Sequence, residues 1–402
     1  METILFEYLN SILDPFINPQ KRIFLGYLLA AFFFAFAFQR LFLKYTYREI
    51  SSELFKKSIW LSKSARSDYL VMIVNRALMM GIAPLLLSKL AVAVFFFEIM
   101  HVWFDGRNIL WPDIPKWVIA TIFTFSIFLL DDLTKYLVHR CLHRFPILWC
   151  FHKVHHSAEV LTPFTVYRTH PVEGILFGLR SIFVQAISTA LFFYFFGERA
   201  ELTTIMGVNA GLFLFNAAGA NLRHSHVWIS YGKLVEKYLI SPAQHQIHHS
   251  SEPMHYDCNF GVVLAIWDRM GGSLRCADIK PPLQFGLGKG AFQVHDLNTI
   301  YFTPIVEFVK SFFWILEKVI KKMSLRNTIK RFGQSTTVGL VFFLGLLSVG
   351  ASVSASELNI YSHRQPFLIN PFIEAYQAKT GVKVNIVYAS KGLAQRLQSE
   401  GL

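Results

Sequence analysis

The chain has 402 residues, of which 53% are hydrophobic and only 16% charged, against roughly 25% charged in soluble globular proteins. The apolar residues gather in long runs, which excludes an ordinary soluble domain and indicates a polytopic membrane protein. The net charge of +13 sits mainly in loops beside apolar segments, where Lys and Arg mark the cytoplasmic side, so it does not signal nucleic-acid binding.

Ile23 to Leu43 is the first apolar segment, long enough for a bilayer core of about 30 Å. A basic loop follows with Lys44, Arg48, Lys56, Lys57, Lys63 and Arg66. The run 69–104 reads either as one crossing or as a hairpin broken near Gly81 and Pro84. One crossing keeps the basic loop 44–68 and the later histidine clusters on the same side, so it is preferred. After a neutral loop, Trp117 to Leu130 is apolar, and its helix continues through Asp131, Asp132, Lys135 and Tyr136. Gly174 to Phe196 and Leu202 to Ala220 form an expected hairpin. Thr299 to Met323 reads as a surface-lying amphipathic helix.

From Met323 the chain changes character. Arg326, Lys330 and Arg331, then an apolar core from Val338 to Val349, then small residues to Ser356, follow the order of a secretory signal peptide. The remainder predicts a strand over Leu358 to Tyr361, a helix over Phe367 to Lys379 and a strand over Lys383 to Tyr388. This last stretch resembles the mature N-terminus of periplasmic ferric-iron-binding proteins of ABC transporters.

Histidine is the anomaly: there are 15, most of them in short clusters. His139 and His143 make an HxxxH pair on one helix face. His152, His155 and His156 form HxxHH, His170 stands before Pro171, and His224 and His226 follow the hairpin. His245, His248 and His249 repeat HxxHH, with His255 beyond. At that spacing three imidazoles lie on one helical turn, where they can converge without rearranging the backbone. Neutral imidazole suits Fe, Zn, Cu and Ni, and nine or more such ligands exceed one ion and match two. A carboxylate-bridged di-iron bundle would instead be built on Glu-x-x-His, whereas no histidine of the pair, of the two triplets or at 224 follows a Glu by three residues. Solvated surface rarely produces two such triplets, whereas the isolated His101, His295 and His363 carry no assigned role. Cys141, Cys150, Cys258 and Cys276 lack CxxC spacing and fit reduced thiols on a cytoplasmic face.

At these residues the chain resembles the sterol desaturase/fatty acid hydroxylase superfamily, over roughly residues 70–275. The likeness extends to Asp132 through Tyr136 with His139-Arg140, Leu148-Trp149, Arg168 with His170-Pro171, Asn259-Phe260-Gly261 and Trp267-Asp268. His226 departs from it, since members often carry Asn there. The resemblance implies an all-α membrane protein with four to five transmembrane helices under a cytosolic histidine-rich cap, plus the short βαβ-like C-terminal fragment. It implies two iron ions, O2 as co-substrate, and electrons from a partner such as a ferredoxin, cytochrome or reductase. The expected activity is hydroxylation or desaturation of a lipid C–H bond, at the cytoplasmic face of a bacterial inner membrane.

The expected ligands are His139, His143, His152, His155, His156, His170, His224, His245, His248 and His249, with His226 as a further candidate. Metal-bound imidazoles need their other N–H held, and Asp132, Asp257 and Asn259 are the expected holders. The expected domains are 1–68 (helix and basic loop), 69–298 (catalytic), 299–322 (interfacial helix), 323–356 (signal-peptide-like) and 357–402 (the transporter-like fragment). The alternative is a non-enzymatic membrane protein that binds or transports metal. It is disfavoured because the apolar runs hold few polar groups, chiefly Asn75, Arg76 and Asn216.

Overall fold

The computed structural model describes residues 2–83, 86–104, 113–277, 283–288, 295–324, 357–362, 370, 373–374, 376–378 and 381–388. Two compact units emerge, Met1–Glu317 and Lys318–Leu402. The first is almost entirely helical.

Helix α1 spans Glu2–Ile17 and α2 spans Leu25–Leu41. The latter buries a stripe of Tyr27, Ala31, Ala35 and Gln39, with Ala31 and Ala35 packed on Leu222, Val227 and Ile229. α2, a shorter apolar helix of 17 residues, lies within the span expected over Ile23 to Leu43 and stands at the short end of crossing length. Short helices α3 (Tyr47–Leu54) and α4 (Lys57–Trp60) follow; a Thr46–Glu49 capping box starts the first.

Helices α5 (Lys63–Ile82) and α6 (Lys89–Trp103) both run beside a later long helix, α9 (Pro171–Phe196), after α7 (Lys116–Arg144) and α8 (Pro146–His156). Their contacts fix the direction. Asn75 donates to the Thr169 carbonyl, Lys89 to Gln185, and the Phe97 ring meets Tyr194. Residues 75 to 97 therefore advance steadily along α9 rather than folding back. Among the described residues, three helices are long and apolar enough to cross a membrane: α7, α9 and Leu297–Lys318 within α14, introduced below.

A two-strand ribbon, β1 (Thr204–Ile205) against β2 (Val208–Asn209), closes the return from α9 and leads into α10 (Ala210–Ala217). The expected second arm, Leu202 to Ala220, is therefore a ribbon plus an eight-residue helix and not a full span. Beyond it follow α11 (Gly232–Val235), α12 (Pro242–His248) and α13 (Ile266–Met270), with α12 carrying part of the second HxxHH as α8 carries the first. α14 (Leu297–Ser324) lies antiparallel along α8, with Ile300 near Val154, Phe308 on Phe151 and Ser311 near Cys150.

In the second unit, β3 (Glu357–Ser362) pairs in parallel with β4 (Lys383–Tyr388), Glu357 opposite Lys383. Residues 325–356, which include most of the signal-peptide-like segment, lie outside the described residues.

Candidate metal centre

The cap is braced from below by buried polar groups. Glu236 is fully buried and accepts from the Ser230 and Ser241 hydroxyls and from the Tyr231 and Ala277 amides. Ser241 in turn caps α12, reciprocally with Gln244, so the second HxxHH begins at a rigid point. Arg168 performs the same service for α8. Its Nε donates to the Val154 carbonyl and the Ser157 hydroxyl, and its Nη1 pairs with Asp68 at 2.9 Å, both side chains fully buried.

These supports bring nine imidazoles together in two groups. One contains His139, His143, His152, His156 and His248; the other contains His155, His224, His245 and His249. Within each group the ligand nitrogens lie within 4.8 Å of one another. The two triplets do not each converge on one point, contrary to the expectation from spacing. His152 and His156, at i and i+4, serve the first group while His155 turns to the second. His245 and His249 serve the second group while His248 turns to the first. Helix geometry accounts for this: positions i and i+4 are about 40° apart around the axis, and i+3 lies on the other side of i.

The second group is the tighter. His224 Nε2 stands 3.3 Å from His155 Nε2, 3.0 Å from His245 Nε2 and 3.2 Å from His249 Nε2. A neutral ring nitrogen carries at most one proton, so hydrogen bonding satisfies one of these contacts and leaves the others as facing lone pairs. A cation resolves them: ligands at about 2.1 Å from one ion are about 3.0–3.4 Å apart in octahedral or tetrahedral arrangement. In the first group, Nε2 of His143, His152, His156 and His248 is buried without a hydrogen-bond partner. The donor set thus fits two transition-metal ions. Burial first, and neighbouring imidazoles second, push His155 down to about 3 and hold His152, His156, His224, His245, His248 and His249 well below the ordinary histidine value. The rings stay neutral, the form that ligates metal.

The groups that orient these rings differ from those expected. His139 Nδ1 donates to the Phe260 carbonyl at 2.8 Å and His248 Nδ1 to the Cys258 carbonyl at 2.7 Å. Glu173 Oε1 lies 3.1 Å from His152 Nδ1, off the line of a good hydrogen bond, and its Oε2 has no partner. Glu173 was missed in the sequence, although a carboxylate opening an apolar helix is a visible signal. Asp132 touches no imidazole; it accepts from the Val263 and Leu264 amides and from Trp267 Nε1, because its helix face meets that returning segment. Asn259 ties Gln244 to Arg275, and Asp257 pairs with Arg144 at 3.4 Å. Both take left-handed backbone, with φ of +58° and +55° for Asp257 and Asn259, and the turn at Asn259 adjoins the peptide plane that carries the Cys258 carbonyl. Asp268 fixes the same turn through the amides of Phe260 and Gly261. Burial pushes the Cys258 thiol up to about 12, so it remains a thiol beside the cluster.

His170 belongs to neither group. Its Nδ1 caps α9 by accepting from the Val172 amide, and its Nε2 donates to the Tyr301 carbonyl. His226 Nε2 donates to the Glu53 carbonyl, and His255 pairs with the Ser250 hydroxyl, so both also fall outside.

Two cavities reach the histidines. One, of about 330 Å³, touches both groups from the side of α9 and α10 and is walled by Phe177, Leu212 and Phe215. The other, of about 300 Å³, reaches His143, His156 and His248 beside Trp149, Tyr256 and Asp257.

No solved structure matches the chain. Among curated proteins it is similar to alkylglycerol monooxygenase of Danio rerio, 27% identical over 230 residues, covering 56% of this chain and 45% of that one. It is similar to lathosterol oxidase of Homo sapiens, 24% identical over 195 residues, 47% of this chain and 56% of that one. It also resembles very-long-chain aldehyde decarbonylase GL1-1 of Oryza sativa subsp. japonica, 32% identical over 148 residues, 35% of this chain and 21% of that one. The chain thus spans about half the length of the first two of these relatives, and less of the third. Residues 124–273 match the family model for fatty acid hydroxylase, a segment that contains all nine clustered histidines, and with these relatives the match supports the fatty acid hydroxylase/sterol desaturase family for this region.

Proposed function

We propose that this protein is a membrane-bound oxidoreductase that uses two histidine-held iron ions and O2 to hydroxylate or desaturate a lipid C–H bond. The observation that carries this reading is the division of nine neutral imidazoles, eight of them buried, into two groups, with His224 Nε2 facing three other ring nitrogens in the second group. The relatives named for monooxygenation, oxidation and decarbonylation point to the same chemistry.

The first group would hold one iron and the second group the other. The iron pair supplies the oxidising power toward an unactivated C–H bond. The chain's own residues do the rest. The carbonyls of Phe260 and Cys258 fix the His139 and His248 tautomers, and Glu173 faces His152. Phe177, Leu212 and Phe215 give the cavity an apolar wall that suits an alkyl segment and excludes water. The opposite cavity, with Trp149 over His143 and His156, is the side we assign to the electron-transfer partner.

The same reading places α5 and α6 together as one crossing and α7 and α9 as two more, has residues 202–220 return the chain to the histidines, and puts the cap on the cytoplasmic face of a bacterial inner membrane, where the basic loop 44–68 also lies. It keeps 69–298 as the catalytic domain and treats 323–402 as an appendage, a signal-peptide-like segment followed by the transporter-like fragment. Metal analysis of the purified protein should find about two irons per chain. Lipid analysis of cells with and without the protein under 18O2 should find either one labelled oxygen in a product or a new double bond. A protein free of iron, or cells with unchanged lipids, overturns the proposal.

A further inference from the structure

Besides its apolar rings, the cavity of about 330 Å³ at the histidines is lined by Arg22, Lys135 and Arg223, against one acid among the described residues, Glu173. Glu173 faces His152, and Lys135 is matched by Asp131. The two arginines have no such match. Arg223 is 2% exposed, and the Nε atom of Arg22 is buried without a hydrogen-bond partner. The charge of Asp132 reaches Arg223, but the Asp132 oxygens are engaged by the Val263 and Leu264 amides and by Trp267.

The two guanidinium groups are also held close together. Arg22 Nη2 and Arg223 Nε donate to the same acceptor, the Ala220 carbonyl, each at 3.2 Å. Their nitrogens therefore lie within roughly 6.5 Å of one another, a range at which like charges out of water repel strongly. Arg223 Nη1 donates to the Val262 carbonyl, and its guanidinium lies 4.9 Å from the centre of the Phe215 ring. These partners are all neutral. Each guanidinium carries five N–H donors, and the hydrogen bonds above use three of them in all. Burial pushes the Arg22 guanidinium down to about 10, the direction expected of a cation taken from water with no carboxylate beside it. The backbone keeps the pair in place, because Asn221 Nδ2 donates to the Arg22 carbonyl at 2.9 Å.

We propose that Arg22 and Arg223 form a binding site for a phosphate-type oxyanion in the wall of the histidine cavity. Charge and shape choose the class. A phosphate group carries about −1.5 to −2 charge at pH 7, close to what two guanidinium groups neutralise, and presents three oxygens to their planar forks. A carboxylate brings one charge and two oxygens. The ion is either free phosphate or the terminal group of a monoester, and the chemistry at the arginines is the same for both. The site is separate from the oxygenase reading, since neither arginine belongs to a histidine group.

The test is equilibrium binding of 32P-labelled phosphate to the full-length protein in a neutral detergent, with hexyl phosphate as competitor and iron measured in parallel. Wild type should bind phosphate saturably. Arg22→Gln should raise the Kd about tenfold, the usual cost of losing a charge-assisted hydrogen bond. Arg22→Lys, which keeps the charge without the fork, should fall between the two. Arg223→Gln should match Arg22→Gln; if it loses iron through its neighbour His224, Arg22→Gln decides alone. Hexyl phosphate that displaces the label better than phosphate itself identifies a monoester as the ligand, and equal or weaker displacement identifies the free ion. Absence of saturable binding by wild type, or wild-type binding by Arg22→Gln, overturns the proposal. Failure of the oxygenase reading would appear instead as missing iron and no O2 consumption, with phosphate binding intact.

Discussion

Arg168 offers the sharpest test of how the ligand helix α8 is held. Replacing it with Leu removes the donors to Val154 O and Ser157 Oγ and leaves the Asp68 carboxylate buried with only the Thr165 hydroxyl as partner. Breaking a buried ion pair by deleting one member costs about 3–5 kcal/mol, most of it from the stranded charge. A chain of this size loses about 2 °C of Tm per kcal/mol, so Tm should fall by roughly 6–10 °C. Val154 and Ser157 bracket His155 and His156, so iron content should fall as well. Asp68→Leu with Arg168→Leu removes the stranded charge and should recover part of the Tm, but not the iron, because α8 still lacks its brace. Differential scanning fluorimetry and metal analysis read both quantities. An Arg168→Leu protein with Tm within 2 °C of wild type and full iron would refute the bracing argument.

Three further outcomes follow from the site. His224→Ala, which removes the nitrogen facing three others, should leave one iron per chain or fewer by metal analysis; retention of two defeats the grouping. The clustered histidines are neutral in the folded state and ordinary in the unfolded one, so the unfolded chain takes up protons first; stability is complete above about pH 6.5 and declines as pH falls from there toward 3, which melting curves across that range should record. A chain ending at Lys322 should keep iron, Tm and lipid product, since every grouped histidine precedes residue 250.

The clustering of the nine histidines was legible because imidazoles at helical spacing have few other uses. Their partition was not, since spacing alone does not say where a diverging i+3 ring finds partners, and those partners lie up to 109 residues away, as from His139 to His248. His170 was misjudged although Pro171 marks it as the residue before a helix's first turn. Asp132 was expected to hold an imidazole, but its partners come from 263–267, far along the chain. Apolar periodicity located α7 and α9 well. It located α2 as well, one stripe of which, Tyr27, Ala31, Ala35 and Gln39, is buried against other protein.

Two of the ring-orienting acceptors are main-chain carbonyls, of Cys258 and Phe260, and no point mutation can delete a carbonyl. The exposure of this site to genetic damage therefore shifts away from the atoms that make the contact and onto the conformation that aims them. Position 258 should tolerate exchange of Cys for another small residue. At position 259, a β-branched residue, which resists positive φ, would swing the Cys258 carbonyl while leaving every histidine in the sequence intact. Loss of metal binding in a variant with all nine histidines present would then trace to a peptide plane.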